Sequence, residues 1–290
     1  MERTKIKVSI LMGVYNPRKG EWLEDAIRSM AGQSLQEWEL LLYDDGSDAA
    51  GRAQIQRAAA MDQRVRLLRG EENQGLAYAL NACLKEAKGE YVARMDDDDL
   101  SRPDRLRQQY DFLEHHPEYA FAGTLSELFD ETGTWGIGEV PEVPCARDFL
   151  SHSPYIHPSV MFRREVLEEA GGYRVGETTR RCEDYELFMR LHESGRQGYN
   201  LQRPLLLYRE DEGAYRKRKY QSRLREMKVR YEGFRRLGLL KPGAVPYVVK
   251  PLAVGLVPGR LQQYLKKRRQ KDRRWQEKGN ERDERNTAGT

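Results

Sequence analysis

The sequence predicts an α/β fold with a mostly parallel central sheet covered by helices on both faces, followed by a C-terminal helical extension. Three observations lead there. Apolar runs rich in Val, Ile and Leu alternate with amphipathic stretches of helical length as far as Asp99. Regularity falls after that point, and positive charge gathers in the last third of the chain. In order, Ile6–Met12 reads as a strand, Glu21–Gly32 as a helix, Trp38–Tyr43 as a strand and Gly51–Met61 as a helix. Val65–Leu68, Gly75–Ala87 and Tyr91–Met95 continue as strand, helix and strand. Such a βαβαβαβ series implies parallel strands joined by right-handed crossovers, with active groups gathered at the strands' carboxyl ends.

Beyond Asp99 the pattern becomes mixed. Pro103–His116 looks helical, Tyr119–Leu128 strand-like and Asp130–Pro144 a Gly/Pro-containing connection. Ser159–Phe162 suggests a short strand, Asp184–Glu193 a helix, Pro204–Tyr208 a strand and Ala214–Leu237 a long basic helix. From Gln270 the chain is almost wholly polar or charged, a composition that cannot bury enough surface to order itself, so 270–290 is expected to be a disordered tail.

Composition narrows the class. With 290 residues, 39% of them apolar, the chain can build a sizeable core, and 25 Gly and 12 Pro exclude collagen-like or low-complexity polymers. Cys83, Cys145 and Cys182 are odd in number, far apart and without a CxxC pair, which excludes a disulfide framework or a zinc cage and fits a reducing cytoplasm. Lys5 and Lys7 interrupt the only early apolar stretch, unlike a secretory signal. The longest later one, Ala244–Val257, is broken by Pro246, Lys250 and Pro251 and falls short of the roughly 20 apolar residues a spanning helix needs. Gly213–Arg236 carries ten Lys/Arg against two Glu, and Arg260–Arg274 eight against one Asp. Those segments hold a net +15 in a chain of +4, leaving −11 on the remainder: an acidic front and a basic back.

Two constellations can carry chemistry. Tyr43-Asp44-Asp45-Gly46-Ser47-Asp48 ends an apolar strand and delivers carboxylates to the crevice above the sheet. There Asp44 or Asp45 could accept from a ribose hydroxyl or base N–H, and Ser47 or Asp48 could equally cap the next helix. Tyr91-Val92-Ala93-Arg94-Met95 runs directly into Asp96-Asp97-Asp98-Asp99. Alternate residues of an extended chain point the same way, so Asp96 and Asp98 can converge on one spot. Carboxylates so close repel unless a cation compensates, and Mg²⁺ or Mn²⁺ held by one or two of them keeps positions open for phosphate oxygens. No GxGxxG follows the first strand and no GxxxxGK[ST] occurs, which argues against dinucleotide oxidoreductases and P-loop NTPases. A nucleotidyltransferase would also need a Gly-rich phosphate loop where Tyr15-Asn16-Pro17-Arg18 stands.

Over roughly Lys7 to Tyr208 the sequence resembles a family 2 glycosyltransferase of the GT-A fold. The resemblance rests on motifs in order: Val8-Ser9-Ile10-Leu11-Met12-Gly13-Val14-Tyr15-Asn16, Asp44-Asp45-Gly46-Ser47, Asn73-Gln74-Gly75-Leu76 with Leu80-Asn81, Asp96-x-Asp98-Asp99 with Pro103-Asp104-Arg105-Leu106, and Glu183-Asp184-Tyr185-Glu186-Leu187. Within the family it is most similar to bacterial enzymes of exopolysaccharide, capsule and biofilm-matrix assembly. The resemblance implies an inverting, metal-dependent transfer of a sugar from a nucleotide donor to a glycan or lipid-linked hydroxyl. It puts Tyr15 and Asp45 beside the uracil of a UDP-type donor, Asn73 and Asp96 on the donor side, Asp98 on the metal and Asp184 as general base. His157, Arg180, Arg181 and Glu183 are candidate acceptor or phosphate contacts, and Trp135 a candidate cover for the acceptor sugar. Where family members often carry a His after Tyr-Arg, this chain has Glu210-Asp211 after Tyr208-Arg209. The implied organisation is a catalytic unit over 1–210, with a nucleotide-binding half over 1–100 and an acceptor-binding half over 101–210, then a basic extension over 211–269.

The basic end needs its own reading. Pro251–Val257 is an apolar wedge bracketed by basic clusters, and Leu261, Tyr264 and Leu265 adjoin Lys266-Lys267-Arg268-Arg269. Shallow apolar burial plus positive charge suits the surface of an anionic bilayer. No nucleic-acid-binding motif accompanies the charge, so no nucleic-acid partner is expected. Docking of a protein partner on the basic helix Ala214–Leu237 is the other use of such a surface.

Overall fold

The computed structural model describes residues 5–210, 220–268 and 270. One mixed sheet of nine strands runs through the molecule in the order β3-β2-β1-β4-β8-β6-β9-β5, with β7 pairing on β6. β1 (Val8–Val14) lies between β2 (Trp38–Asp45) and β4 (Tyr91–Arg94), and β3 (Val65–Gly70) flanks β2, all parallel. Helices α1 (Gly20–Ala31), α2 (Ala49–Ala59) and α3 (Leu76–Glu86) connect them, so the expected alternating series is present with ends shifted by a few residues.

Strand alternation explains why helices cover both faces. Ile10, Met12, Leu40 and Leu42 join a core with Leu23, Ile27 and Ile55 of α1 and α2 and Leu106 of α4 (Arg105–His115). Leu11, Leu41 and Val92 point the other way, against Leu80 of α3 and Leu187 and Phe188 of α6 (Glu183–Glu193). Near-continuous burial of β1 and β2 is what a parallel sheet covered twice requires.

Beyond β4 the sheet turns mixed. β8 (Met161–Arg163) runs antiparallel to both β4 and β6 (Phe121–Asp130), and β9 (Gly198–Arg209) runs parallel to β6. The two-residue β5 (Leu100–Ser101) pairs with the end of β9. Within the expected connection over 130–144, Gly133–Gly138 forms β7, antiparallel to β6. β9 starts six residues before the expected Pro204, and a short α5 (Arg164–Glu169) follows β8 unforeseen.

The expected basic helix is seen over Tyr220–Arg236 (α7), its first residues lying outside those described. Val245–Gly255, within the expected helical extension, is a helix (α8): Pro246 sits in its first turn, where no N–H partner is lost, and Pro251 lies inside it. Residues 259–268 (α9) are helical as well. Gln270, the first residue of the expected disordered tail, is helical and exchanges two hydrogen bonds with the Ile137 backbone; 271–290 lie outside the described residues.

One buried side chain braces the place where the site is built. Arg105 is completely buried and donates through Nη1 to the Arg94 carbonyl at 3.1 Å and the Pro158 carbonyl at 2.8 Å. Burial pulls its pKa down to about 10, so it keeps its charge at neutral pH. Removing it strands two buried carbonyls and takes a cation from beneath Asp99. Arg105→Ala should therefore lower unfolding free energy by about 3 kcal/mol in urea titrations. A loss below about 1 kcal/mol, typical of a surface change, would mean that the brace is dispensable.

Candidate active site

The carboxyl ends of β1, β2 and β4 meet at one edge because the register pairs Val14 with Asp44 and Leu11 with Arg94. After β1 the chain leaves Tyr15 half-exposed at the rim. Asn16, at φ +42°, donates its N–H to Ser47 Oγ at 2.9 Å and accepts from the Asp48 N–H at 2.9 Å. Asp44 Oδ1 accepts from the Ser47 N–H and Asp48 caps α2 through the Gly51 N–H, so this turn is a cap as well as a rim. Asp45 is buried and accepts from the Gln74 N–H at 3.0 Å and the Gly75 N–H at 2.8 Å. Burial raises its pKa in spite of those bonds. Gly46, at φ +76°, is forced: a Cβ there would lie 2.4 Å from the Glu72 carbonyl carbon. Asn73 Oδ1 accepts from Arg180 Nη2 at 3.2 Å, which brings Asp45, Asn73 and Arg180 together at one side of the crevice.

The acidic run after β4 does not behave as an extended strand. β4 ends at Arg94 and the chain turns at Asp97 and Asp98, so the two-residue alternation is lost. Asp96 and Asp98 line different spaces, although both act on Asp97 and Asp99 between and beside them. Asp96 lines a cavity of about 340 Å³ with His157, Glu183 and Asp184. Asp97 and Asp98 line a neighbouring cleft of about 110 Å³ with Tyr15, Asn16 and Trp22. Arg94, fully buried inside an otherwise apolar strand, donates from Nη2 to Asp96 at 2.5 Å. Burial opposes its charge, but Asp96, Tyr173 and Asp99 outweigh that and raise its pKa. Asp99 is buried and accepts from the Arg209 N–H at 2.7 Å, which ties the cluster to β9, while its Oδ2 has no partner among the described residues. Its pKa lies well above the ordinary value, first through burial and then through Asp96 and Asp98. Asp97 is pushed up to about 7 for the same two kinds of reason.

The acceptor-side residues come from α6 and the turn before β8. Glu183 and the half-buried Asp184 occupy the first turn of α6, where carboxylates favour the helix dipole. Arg181, at φ +70°, turns its backbone N–H onto the Glu183 carboxylate, whose pKa burial nevertheless raises. The side chains of Arg180 and Arg181 are exposed and do not line the Asp184 cavity. His157 is buried and bonds through Nε2 to the Tyr173 hydroxyl at 2.8 Å. Burial, helped by Arg94, keeps it well below its usual pKa and hence neutral. Trp135 is not against this cavity; Lys266 and Lys267 lie over its ring. Sequence reading passed over Arg94, whose signal is a charge inside an apolar strand two residues before the carboxylates. It also passed over Tyr208 and Lys266, which line the cavity and carry no local signal. Among the described residues no three His, Cys, Asp or Glu side chains form a metal cage.

A GT-A sheet with carboxylates at its strand ends and a second acidic group at a helix start defines a glycosyltransferase class of fold. Residues 9–171 match the family described as Glycosyl transferase family 2, and the chain belongs to that family. It is 39% identical over 264 residues to the putative glycosyltransferase EpsE of Bacillus subtilis, covering 90% of this chain and 94% of that one. It is 30% identical over 216 residues to the amylovoran biosynthesis glycosyltransferase AmsE of Erwinia amylovora, covering 73% and 79%. It is 25% identical over 268 residues to an Escherichia coli UDP-Gal:alpha-D-GlcNAc-diphosphoundecaprenol beta-1,3-galactosyltransferase, covering 90% and 96%. The mannosyltransferase PcManGT of Pyrobaculum calidifontis, solved with GDP-Man and Mn²⁺, shares the fold at TM-score 0.60 and 18% identity, covering 89% of this chain and 79% of that one.

The crowded carboxylates give a pH signature. Asp97 titrates near 7 when folded and near its ordinary 3.8 when unfolded, so the native state holds a proton that the unfolded state releases. That contribution to stability is complete below the lower value and is lost as pH rises through the upper one. In EDTA, the melting temperature should fall more steeply between these pH values for wild type than for Asp97→Asn, with the variant the more stable above pH 7. Parallel profiles would remove the assignment.

Proposed function

We propose that the protein is an inverting, metal-dependent glycosyltransferase that moves a sugar from a nucleotide donor of UDP type to a hydroxyl of a glycan or lipid-linked acceptor, for extracellular polysaccharide assembly. The observation that carries the reading is the pair of adjoining spaces at the end of β4: a cleft of Asp97, Asp98 and Tyr15, and a cavity of Asp96 and Asp184. A donor held in the first can present its anomeric carbon to the second. The UDP-Gal donor and diphosphoundecaprenol acceptor named for the E. coli relative support the same pairing of substrates.

The residues present fit a hard divalent ion. Asp97 and Asp99 have raised pKa values partly because Asp96 and Asp98 stand beside them, and a cation relieves that repulsion. Oxygen-only donors suit Mg²⁺ or Mn²⁺, and Asp98 is the residue assigned to hold it, with substrate phosphates completing the shell. When bound, the ion offsets the negative charge of the diphosphate. Tyr15 covers the base, with Asp45 and Asn73 on the donor side. Asp96, fixed by Arg94, borders the reacting sugar. Asp184 takes the proton from the acceptor hydroxyl as that oxygen attacks opposite the departing diphosphate. His157, neutral and bound to Tyr173, walls the acceptor space and moves no proton.

The acceptor's lipid accounts for the other end of the molecule. Among the described residues no helix is long and apolar enough to cross a membrane. Leu256 is 78% exposed, and Leu261, Tyr264 and Leu265 of α9 are exposed beside Arg260 and Arg268. We assign this face to the cytoplasmic leaflet of an anionic membrane.

Two experiments test the reading. Asp184→Asn should lower kcat about 10²- to 10⁴-fold in a donor screen of UDP-, GDP- and dTDP-sugars with Mn²⁺, while leaving UDP affinity unchanged; near-normal turnover would refute the base assignment. In vesicle flotation, Leu256→Glu with Leu261→Glu should weaken binding to anionic liposomes about tenfold, and unchanged flotation would refute the membrane face.

A further inference from the structure

The Asp184 cavity has a contributor from the far end of the chain. Lys266, on α9, lines it together with Asp96, Glu183 and Asp184. Its helix is pinned across the β6–β7 hairpin. Lys267 pairs with Asp130 at 2.5 Å, and Gln270 both donates to and accepts from the Ile137 backbone. The ammonium of Lys266 meets Glu210 Oε2 at 2.6 Å, just past the end of β9. The Glu210 residue is buried, whereas the Lys266 side chain is 44% exposed.

Charge arithmetic gives this placement a purpose. Among the described residues the cavity is lined by three carboxylates and two cations, Arg94 and Lys266. Arg94 is sealed in its strand and clamped on Asp96, so it cannot follow a ligand. Lys266 stands at the mouth on a flexible four-carbon stem and can pivot from Glu210 to an anionic oxygen. A diphosphate entering a space bordered by Asp96, Glu183 and Asp184 would otherwise meet only repulsion at that side.

We propose that Lys266, carried back over the hairpin by α9, binds a substrate diphosphate at the mouth of the Asp184 cavity, with Glu210 holding the ammonium ready between substrates. The inference rests on the transferase reading and adds a residue to it. Two substrates bring a diphosphate, the nucleotide donor and a lipid-linked acceptor, and their shared chemistry is what Lys266 recognises.

The test is calorimetry on the full chain with Mn²⁺, using UDP, uridine and farnesyl diphosphate as probes. Lys266→Gln should weaken a diphosphate probe about tenfold or more and leave uridine unchanged, and Lys266→Arg should restore the affinity. Loss on UDP assigns the donor; loss on farnesyl diphosphate alone assigns the acceptor. Glu210→Gln separates ligand binding from mere propping of the fold: it frees the ammonium, so diphosphate affinity should hold or rise. Equal losses in Lys266→Gln and Glu210→Gln, or none in Lys266→Gln, overturn the proposal while normal wild-type binding leaves the transferase reading standing. A wild type that binds neither UDP nor farnesyl diphosphate overturns both.

Discussion

The molecule depends on holding four consecutive carboxylates at the end of a buried strand, and the two guanidinium groups beneath them make that possible. Desolvating one anion costs several kcal/mol, and neighbouring anions add to it. Arg94 answers from within β4 through its 2.5 Å bond to Asp96, and Arg105 answers from α4, within reach of the Asp99 field. Arg105 in turn hangs on the carbonyls of Arg94 and Pro158, so the same side chain that balances charge also locks α4 to β4 and to the turn that carries His157. The Asp99 bond to the Arg209 backbone closes the set from β9. Charge compensation and sheet assembly are therefore one requirement. The remaining imbalance shows in the raised pKa values of Asp97 and Asp99, and it makes the place receptive to a cation.

That arrangement also divides the acidic run between two spaces. A strand continuing through Asp99 would put Asp96 and Asp98 on one side. The turn at Asp97 and Asp98 instead sends them to different spaces. Asp96 then shares a wall with Asp184, a residue 88 positions later, because β8 and β6 carry the sheet on past β4 until α6 can pack on the same face as α3. The extension of the parallel core by antiparallel strands is thus what gives the crevice at the strand ends a second, facing half.

The parts legible in the sequence are those whose physics is local. The βα series was readable because β1, β2 and β4 are buried on both sides and the helices between the strands repeat an apolar face. That Asp45 and Asp96 stand at the crevice was readable because each closes an apolar strand at its carboxyl end. β7 was not, since Gly133, Gly136 and Gly138 dilute the strand preference of Thr134, Trp135 and Ile137, and pairing with β6 makes it a strand. Nor was the direction of Asp98, which a tight turn sets, or the role of Arg94, which depends on what lies above it. The α8 helix keeps Pro251 inside it because Val248 and the proline itself pack into the body of the protein.

Charge at the C-terminal end makes the same point about context. Summed along the sequence, this end is a basic surface awaiting an acidic partner. Folded, much of that charge is already spent inside the molecule. Arg230 is buried, bonded to Glu226 and to the Leu150 and Ser151 carbonyls, and Arg223 pairs with Glu226. Arg236 reaches Glu186 and Glu193 of α6. Lys267 and Lys266 go to Asp130 and Glu210 of the catalytic sheet's edge. These contacts couple the extension to α6, whose first turn carries Asp184, and to the hairpin beside the cavity. An extension joined in that way is built into the same body as the site, and among the described residues the cations beside Leu256, Leu261 and Tyr264 are left at its surface.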